Sequence, residues 1–191
     1  INMANITVFG KGNMGSAIGG LFQEAGNDVA YIGSQDGKQA LGDIVVLAVP
    51  YAAVDGIISN YADELAGKII VDITNPVNFD TFDGLVVPAD SSAAQEIQAK
   101  LSGAKVIKAF NTNFGTTLAS KQVGDNTTTV LAAGEADAKV TFKDALEGSG
   151  LNFVDAGELS RARELEAIGF LQITLAAREK IAWTAGFAVV K

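Results

Sequence analysis

A β-rich run, Asn5 to Phe9, ends directly on Gly10-Lys11-Gly12-Asn13-Met14-Gly15, and the apolar period changes across that point. After it, Met14, Ala17, Ile18, Leu21, Phe22 and Ala25 fall at helical spacing until Gly26-Asn27 stops the run. Strand, glycine turn and helix in immediate succession open a doubly wound α/β sheet. Gly10 permits the turn, Gly12 leaves space for a pyrophosphate beside the helix start, and Gly15 lets helix and sheet approach. A tight turn with no ligand is the plainer reading of the same glycines.

The rest of the chain repeats the alternation. Strands are expected at Asp28 to Ile32, Ile44 to Val49, Lys68 to Ile73, Lys105 to Ala109, Thr127 to Ala133 and Leu151 to Asp155. Helices are expected at Tyr51 to Tyr61, Ala93 to Leu101, Thr116 to Ser120 and Asp137 to Gly148, with a long one from Glu158 to about Ala182. Its buried stripe would be Ala162, Leu165, Ile168, Leu171 and Leu175, with Gly169 allowing close packing. The crossover between the second and third strands is cut to a turn or two at Gly37 to Leu41, or is missing. The expected architecture is α/β, a Rossmann-like doubly wound and mostly parallel sheet with a long C-terminal helix. Residues 1–191 read as one NAD(P)-binding domain, whose helix at about 158–182 covers a cleft or meets a second subunit.

Composition removes many chemistries. The 191 residues include no His and no Cys, which excludes imidazole acid–base catalysis, Ser-His-Asp triads, thiol nucleophiles and Cys-based metal sites. No metal site is expected. A borrowed cofactor must carry any demanding reaction. The formal charge is −8, and only Arg161 and Arg163 lie close together among the cations, so nucleic acid is not an expected partner. Ile44 to Val54 and Ile69 to Ile73, the longest apolar stretches, fall short of the roughly 20 residues that span a bilayer. No membrane partner and a cytoplasmic location are expected, with Ile1 and Asn2 ahead of Met3 read as an added remnant.

The second strand carries the coenzyme choice. An NAD site normally ends it in Asp or Glu to grip the ribose 2'-hydroxyl, whereas here Gly33, Ser34 and Gln35 come first and Asp36 is late. Ser34 offers a hydroxyl, Gln35 an amide and Lys38 a charge to a 2'-phosphate, so NADP is favoured over NAD. A solvated turn is the alternative. Ala48-Val49-Pro50-Tyr51 closes the third strand at the ligand-binding edge, Thr74-Asn75-Pro76 the fourth, and Phe110-Asn111-Thr112 the fifth. Together these loops suggest one pocket, although each is also an ordinary turn sequence.

Across nearly its whole length the chain resembles the coenzyme F420-dependent NADP oxidoreductase family, and its nucleotide domain is similar to the reductase domain of the STEAP metalloreductases. The stretches that carry this are ITVFGKGNMGSAIG, the Gly33-Ser34 strand end, IVVLAVPYAAV, IIVDITNPV, VIKAFNT and FVDAGELSRARELE. The resemblance implies hydride transfer between NADP(H) and the deazaflavin F420, or a flavin. It implies that Gly10, Lys11, Gly12, Asn13, Met14 and Gly15 hold the pyrophosphate, that Ser34 and its neighbours hold the 2'-phosphate, and that Val49-Pro50 and Asn75-Pro76 surround the nicotinamide. The family commonly has Arg after that Ser, where this chain has Gln35, and a longer segment between strands two and three. The adenine side should therefore be more open.

Asn75, Asn111 and Thr112 are the candidates for orienting the nicotinamide or the accepting ring, and Phe79, Phe82 or Phe114 for lining the second pocket unless they are core. Asp72, Asp155, Glu158, Arg161 and Arg163 are assigned no catalytic role, and Asp155 reads as a cap of the long helix. The partners expected are a nicotinamide nucleotide, a small redox-active co-substrate and a second copy of the chain in a homodimer. Two other functions stay open: an NADP-dependent dehydrogenase of a small carbonyl or imine, and a non-enzymatic NADP(H)-binding redox sensor.

Overall fold

The computed structural model describes residues 3–191, so the expectation about Ile1 and Asn2 lies outside the described residues. Five parallel strands form its first half: β1 (Asn5–Phe9), β2 (Asp28–Ile32), β3 (Ile44–Leu47), β4 (Ile69–Asp72) and β5 (Lys105–Lys108). Helix α1 (Asn13–Glu24) links β1 to β2, α2 (Val54–Leu65) links β3 to β4, and α3 (Ala93–Lys100) precedes β5. Beyond β5 come α4 (Gly115–Ser120), a small hairpin of β6 (Gln122–Val123) and β7 (Asn126–Thr127), then β8 (Thr129–Ala133), α5 (Ala136–Leu146), β9 (Asn152–Gly157) and α6 (Ala162–Ala177). The main sheet has the order β2-β1-β3-β4-β5-β8-β9, with β8 antiparallel to β5 and parallel to β9.

Both faces of the sheet are covered, which explains the unbroken apolar run of β3. Ile44 and Val46 pack with Ile18 and Phe22 of α1 and Phe142 of α5, while Val45 and Leu47 pack with Leu65 of α2 and Ile97 of α3. Between β2 and β3 there is no helix at all: Gly37 to Leu41 has no regular secondary structure. The Tyr61 hydroxyl accepts the Gln39 N–H at 3.1 Å from a ring packed edge-on against Phe9, so α2 ties down a segment that has lost its own helix.

The long last helix differs from expectation at both ends and in its face. Leu159–Arg161 form a 3-10 turn before it, and it stops at Ala177 rather than near Ala182. The stop is a Schellman arrangement: Glu179 has φ +60, its N–H donates to Ala176 O at 3.0 Å, and the Lys180 N–H donates to Leu175 O at 2.8 Å. Ile168 and Leu171 face solvent, whereas Glu166, Gly169 and Gln172 are buried with Ala162, Leu165 and Ala176. The polar members face inward because each has partners there. The Gln172 amide donates to Thr112 O at 3.1 Å and accepts from the Phe187 N–H at 3.0 Å, which folds the C-terminal segment back onto the helix. Asp155 does not cap this helix; its carboxylate takes the Gly157 N–H at 2.8 Å and the Lys139 ammonium at 2.5 Å.

Candidate active site

The order of the sheet reverses between β1 and β3, so the crevice outside their carboxyl ends is the place where an open α/β sheet binds ligands. Two adjoining cavities of about 680 and about 530 Å³ lie there and share Gly12, Ala48, Val49 and Pro50. The first extends toward the end of β2 and α2, the second across the ends of β4 and β5.

The glycine motif is built as the sequence suggests. Gly10 has φ +114, and a Cβ there would stand 2.1 Å from Ala48 O. A Cβ on Gly15 would stand 2.2 Å from Gly10 O, while one on Gly12 would meet nothing within 4 Å. Gly12 is the N-cap of α1, no side chain caps that end, and its first turn carries no acid. The amide N–H groups of this helix start therefore face open space with no protein acceptor, which suits an anion.

Of the residues expected at the site, Gly10, Lys11, Gly12, Ser34, Gln35, Ala48, Val49 and Pro50 line the first cavity. Asn13, Met14, Gly15, Tyr51, Asn75 and Asn111 join the shared residues around the second. Three others line neither. Lys38 turns toward α2, its ammonium 2.7 Å from Glu64 Oε1 and 5.5 Å from the centre of the Tyr61 ring. Pro76 is buried behind Asn75, and Thr112 is buried with its carbonyl bound to Gln172.

Asn75 and Asn111 lock one another. The Asn111 Nδ2 donates to Asn75 Oδ1 and to Leu165 O, each at 2.9 Å, and the Asn75 Nδ2 donates to Asn111 O at 3.0 Å. Phe110 just ahead sits at φ +67 with its ring enclosed by Phe22 and Phe142, a backbone strain of about 1–3 kcal/mol carried at the cavity's edge. Asn111 Oδ1, Asn113 Oδ1 and Thr74 Oγ1 are buried without a protein donor, and all three residues line the second cavity. Buried acceptors are rarely left so, and these three belong to residues that border one cavity. Burial lifts the Tyr51 hydroxyl above its ordinary range, so it is a neutral donor. Phe79 and Phe114 line the same cavity; Phe82 does not, but packs edge-on against Phe79 at 5.4 Å.

Composition and spacing did not disclose Trp183 or the charges beneath the loop. Trp183 closes the second cavity against Phe114, with ring centres 5.1 Å apart, held by the Thr116 hydroxyl donating to its carbonyl at 2.7 Å. Under the β4 loop, the Lys108 ammonium is fully buried, 2.7 Å from Asp72 Oδ2, 3.0 Å from Glu166 Oε2 and 2.5 Å from Thr74 O. Asp72 Oδ1 accepts the Thr74 N–H at 2.9 Å, so both polar groups of the Thr74 backbone are pinned. Glu166 also accepts from the Ala93 N–H at 2.7 Å, and burial raises its carboxyl above the usual range against the pull of Lys108. The sequence did hold a signal: a lysine inside the apolar strand KVIK, buried on both faces, must find anions.

Gly169 gives a direct check of this packing. A Cβ there would fall 2.2 Å from Asn75 Oδ1 and 3.0 Å from Asn111 O. Gly169→Ala is expected to cost about 1–3 kcal/mol in denaturant unfolding, the usual penalty of an overpacked site. Unchanged stability would show that α6 does not press on the asparagine pair.

Fold and cleft together define a Rossmann-like, oxidoreductase-type fold with a crevice at the β1/β3 switch point. Within that class the chain is similar to the F420-dependent NADP reductases. Residues 38–76 match the profile of the family described as NADP oxidoreductase, coenzyme F420-dependent. The F420-dependent NADP reductase of Methanocaldococcus jannaschii is 29% identical over 160 residues, covering 81% of this chain and 72% of that protein. The metalloreductase STEAP3 of Rattus norvegicus is 31% identical over 107 residues, which is 56% of this chain and 21% of the rat protein. A crystal structure from Arthrobacter sp. FB24, provisionally described as an F420-dependent NADP reductase, shares the fold with a TM-score of 0.82. It is 24% identical, and the match covers 98% of this chain and 100% of that one.

Proposed function

We propose that the protein transfers hydride between NADP(H) and a flat acceptor ring of the flavin or deazaflavin type. The observation that carries this is the pair of joined cavities across the strand ends, one beginning at the uncapped glycine turn, the other ending in unpartnered amide acceptors and aromatic rings.

The fit to a dinucleotide is specific to these residues. The first turn of α1 offers N–H groups to a pyrophosphate in the space in front of Gly12. Asn111 Oδ1, Asn113 Oδ1 and Thr74 Oγ1 offer acceptors to a carboxamide, whose amino group carries two donors. NADPH held by these residues would supply a hydride, two electrons with one hydrogen, to the acceptor ring, and the reduced ring would take its proton from bulk solvent. The protein's own work is to orient and to exclude water: the Asn75–Asn111 lock and the Lys108 cluster fix the loops, and Trp183 and Phe79 offer flat apolar walls. Nothing in this scheme needs an imidazole or a thiol. The reading includes a single nucleotide-binding domain and a homodimer, the latter supported by the outward-facing Ile168 and Leu171 of α6.

The test follows loss of dihydronicotinamide absorbance with F420, FMN, FAD, a quinone and a ferric chelate, in parallel with NADPH and NADH. Turnover with a flavin-like ring is expected. Tight binding with no turnover on any acceptor would replace it by the non-enzymatic sensor. Trp183 is the chain's one tryptophan and stands half-exposed at the cavity, so its fluorescence should be quenched when the acceptor binds. Trp183→Leu should raise the acceptor KM about 2- to 12-fold, the worth of one aromatic contact, and leave the NADPH dissociation constant unchanged. An effect on NADPH instead would move the acceptor away from Trp183.

A further inference from the structure

At the end of β2 lies a charge pair that matters for which coenzyme fits. Lys11, from inside the glycine motif, lays its side chain across Gly33, where an added Cβ would meet Lys11 Cδ and Cε at 3.2 Å. Its Nζ stands 2.7 Å from Asp36 Oδ2. The same oxygen accepts the Gly33 N–H at 2.7 Å across three positions of sequence. The Lys11 hydrogen bond, followed by that of Gly33, holds the Asp36 carboxyl below the usual carboxylate range, so it is an anion at neutral pH. All three residues line the first cavity.

Asp36 comes too late in sequence to be the acid that ends the second strand, yet its carboxylate folds back onto Gly33, the strand's end. That is where the ribose-gripping acid of NAD-binding sheets stands. The cation that a 2'-phosphate requires is Lys11, and Asp36 already neutralises it. Lys38 does not line this cavity, and its ammonium is 2.7 Å from Glu64 Oε1 on α2. A phosphate arriving at Lys11 meets a carboxylate within hydrogen-bond distance of the same ammonium, and one of the two anions must leave. The Asp36 side chain is 30% exposed and that of Lys11 55%, so the carboxylate can swing out to water. A free 2'-hydroxyl has the opposite need, because it donates to a carboxylate that stays.

We propose that Lys11 and Asp36 form a coenzyme-choice switch: Asp36 turned inward reads the free 2'-hydroxyl of NAD(H), and Asp36 displaced leaves Lys11 to the 2'-phosphate of NADP(H). The protein therefore accepts both dinucleotides. This rests on the nucleotide-binding reading above and adds to it the residue that decides between the two coenzymes.

Calorimetric binding of adenosine 2',5'-bisphosphate and of adenosine 5'-monophosphate tests the switch without any hydride transfer. The unmodified protein is expected to bind both, within about tenfold of each other, the worth of one charge-assisted hydrogen bond. Asp36→Asn removes the competing charge and should shift the ratio about tenfold toward the bisphosphate. Lys11→Met should weaken the bisphosphate about tenfold or more relative to the monophosphate, whatever it costs both at the shared 5'-phosphate. An unchanged ratio in both variants would overturn the switch and leave nucleotide binding intact. Failure of the unmodified protein to bind either compound would overturn the nucleotide reading itself, and the switch with it.

Discussion

Gly12→Val is expected to abolish dinucleotide binding, by at least about 100-fold in affinity, while the protein melts at an unchanged temperature. The separation of the two effects is what gives the experiment its force. Gly12 has φ −80 and ψ −165, extended backbone open to any residue, and a Cβ there meets nothing within 4 Å. An isopropyl group can be built without disturbing the fold, and the space it fills is the space in front of the uncapped α1 amides. Steric exclusion of a pyrophosphate from that position forfeits several charge-assisted hydrogen bonds together, hence the size of the loss. Gly10 and Gly15 are unsuitable for this purpose, because an added Cβ at either would drive into a backbone carbonyl and unfolding would be confused with lost binding. Calorimetry with NADPH and a thermal scan of the same preparation give both numbers. Affinity retained within about threefold would place the pyrophosphate elsewhere.

The glycine turn and the central strands were legible because their constraints are local. A strand buried on both faces must be apolar throughout, as Ile44–Leu47 is, and a turn that brings Gly10 beneath Ala48 O tolerates no Cβ. What the sequence hid depends on partners far away in the chain. α6 should end near a glycine, but Glu179 takes the left-handed conformation instead, so no residue type announced the stop. The inward face of α6 was displaced because hydrophobicity alone was used to find it, whereas Glu166 and Gln172 are buried for the bonds they make to β5, α3 and the C-terminal segment. The cation at the end of β2 followed the same pattern. Lys38 lies in the right turn, but Glu64 of α2 holds it, and Lys11 reaches across from the glycine motif. Position along a strand end can be read from sequence; side-chain direction is set by charges on neighbouring elements.

Lys108→Met is expected to be the most destabilising conservative-shape substitution at the site, costing about 3–5 kcal/mol because it leaves buried carboxylates without their cation. Asp72 is completely buried and Glu166 is 1% exposed, so neither can recover solvation by turning outward. The expected fall in melting temperature is about 6–20 °C for a chain of this size. Its pH dependence distinguishes lost charge from a lost hydrogen bond. Burial already raises the Glu166 carboxyl above its unfolded value, with Lys108 opposing that rise. A carboxyl raised on folding contributes stability that is fully present below its unfolded pKa, about 4.3, and is lost as pH rises through the folded pKa. Removing Lys108 takes away the opposing pull and raises the group further, so the variant's deficit should be largest at neutral and alkaline pH and shrink on acidification. The carboxylates lowered by their lysines, Asp36 and Asp155, have the opposite sign and lose stability as pH falls, but they do so in both proteins and cancel in the difference. Thermal scans of both proteins between about pH 5 and about pH 8 measure that difference. A deficit independent of pH would mean that Lys108 matters for the hydrogen bond it donates to Thr74 O and not for its charge. Adding Glu166→Gln to the variant should restore part of the loss at neutral pH, since one of the two orphaned charges is then gone, while Thr74 O still lacks its donor and the β4 loop stays loosened.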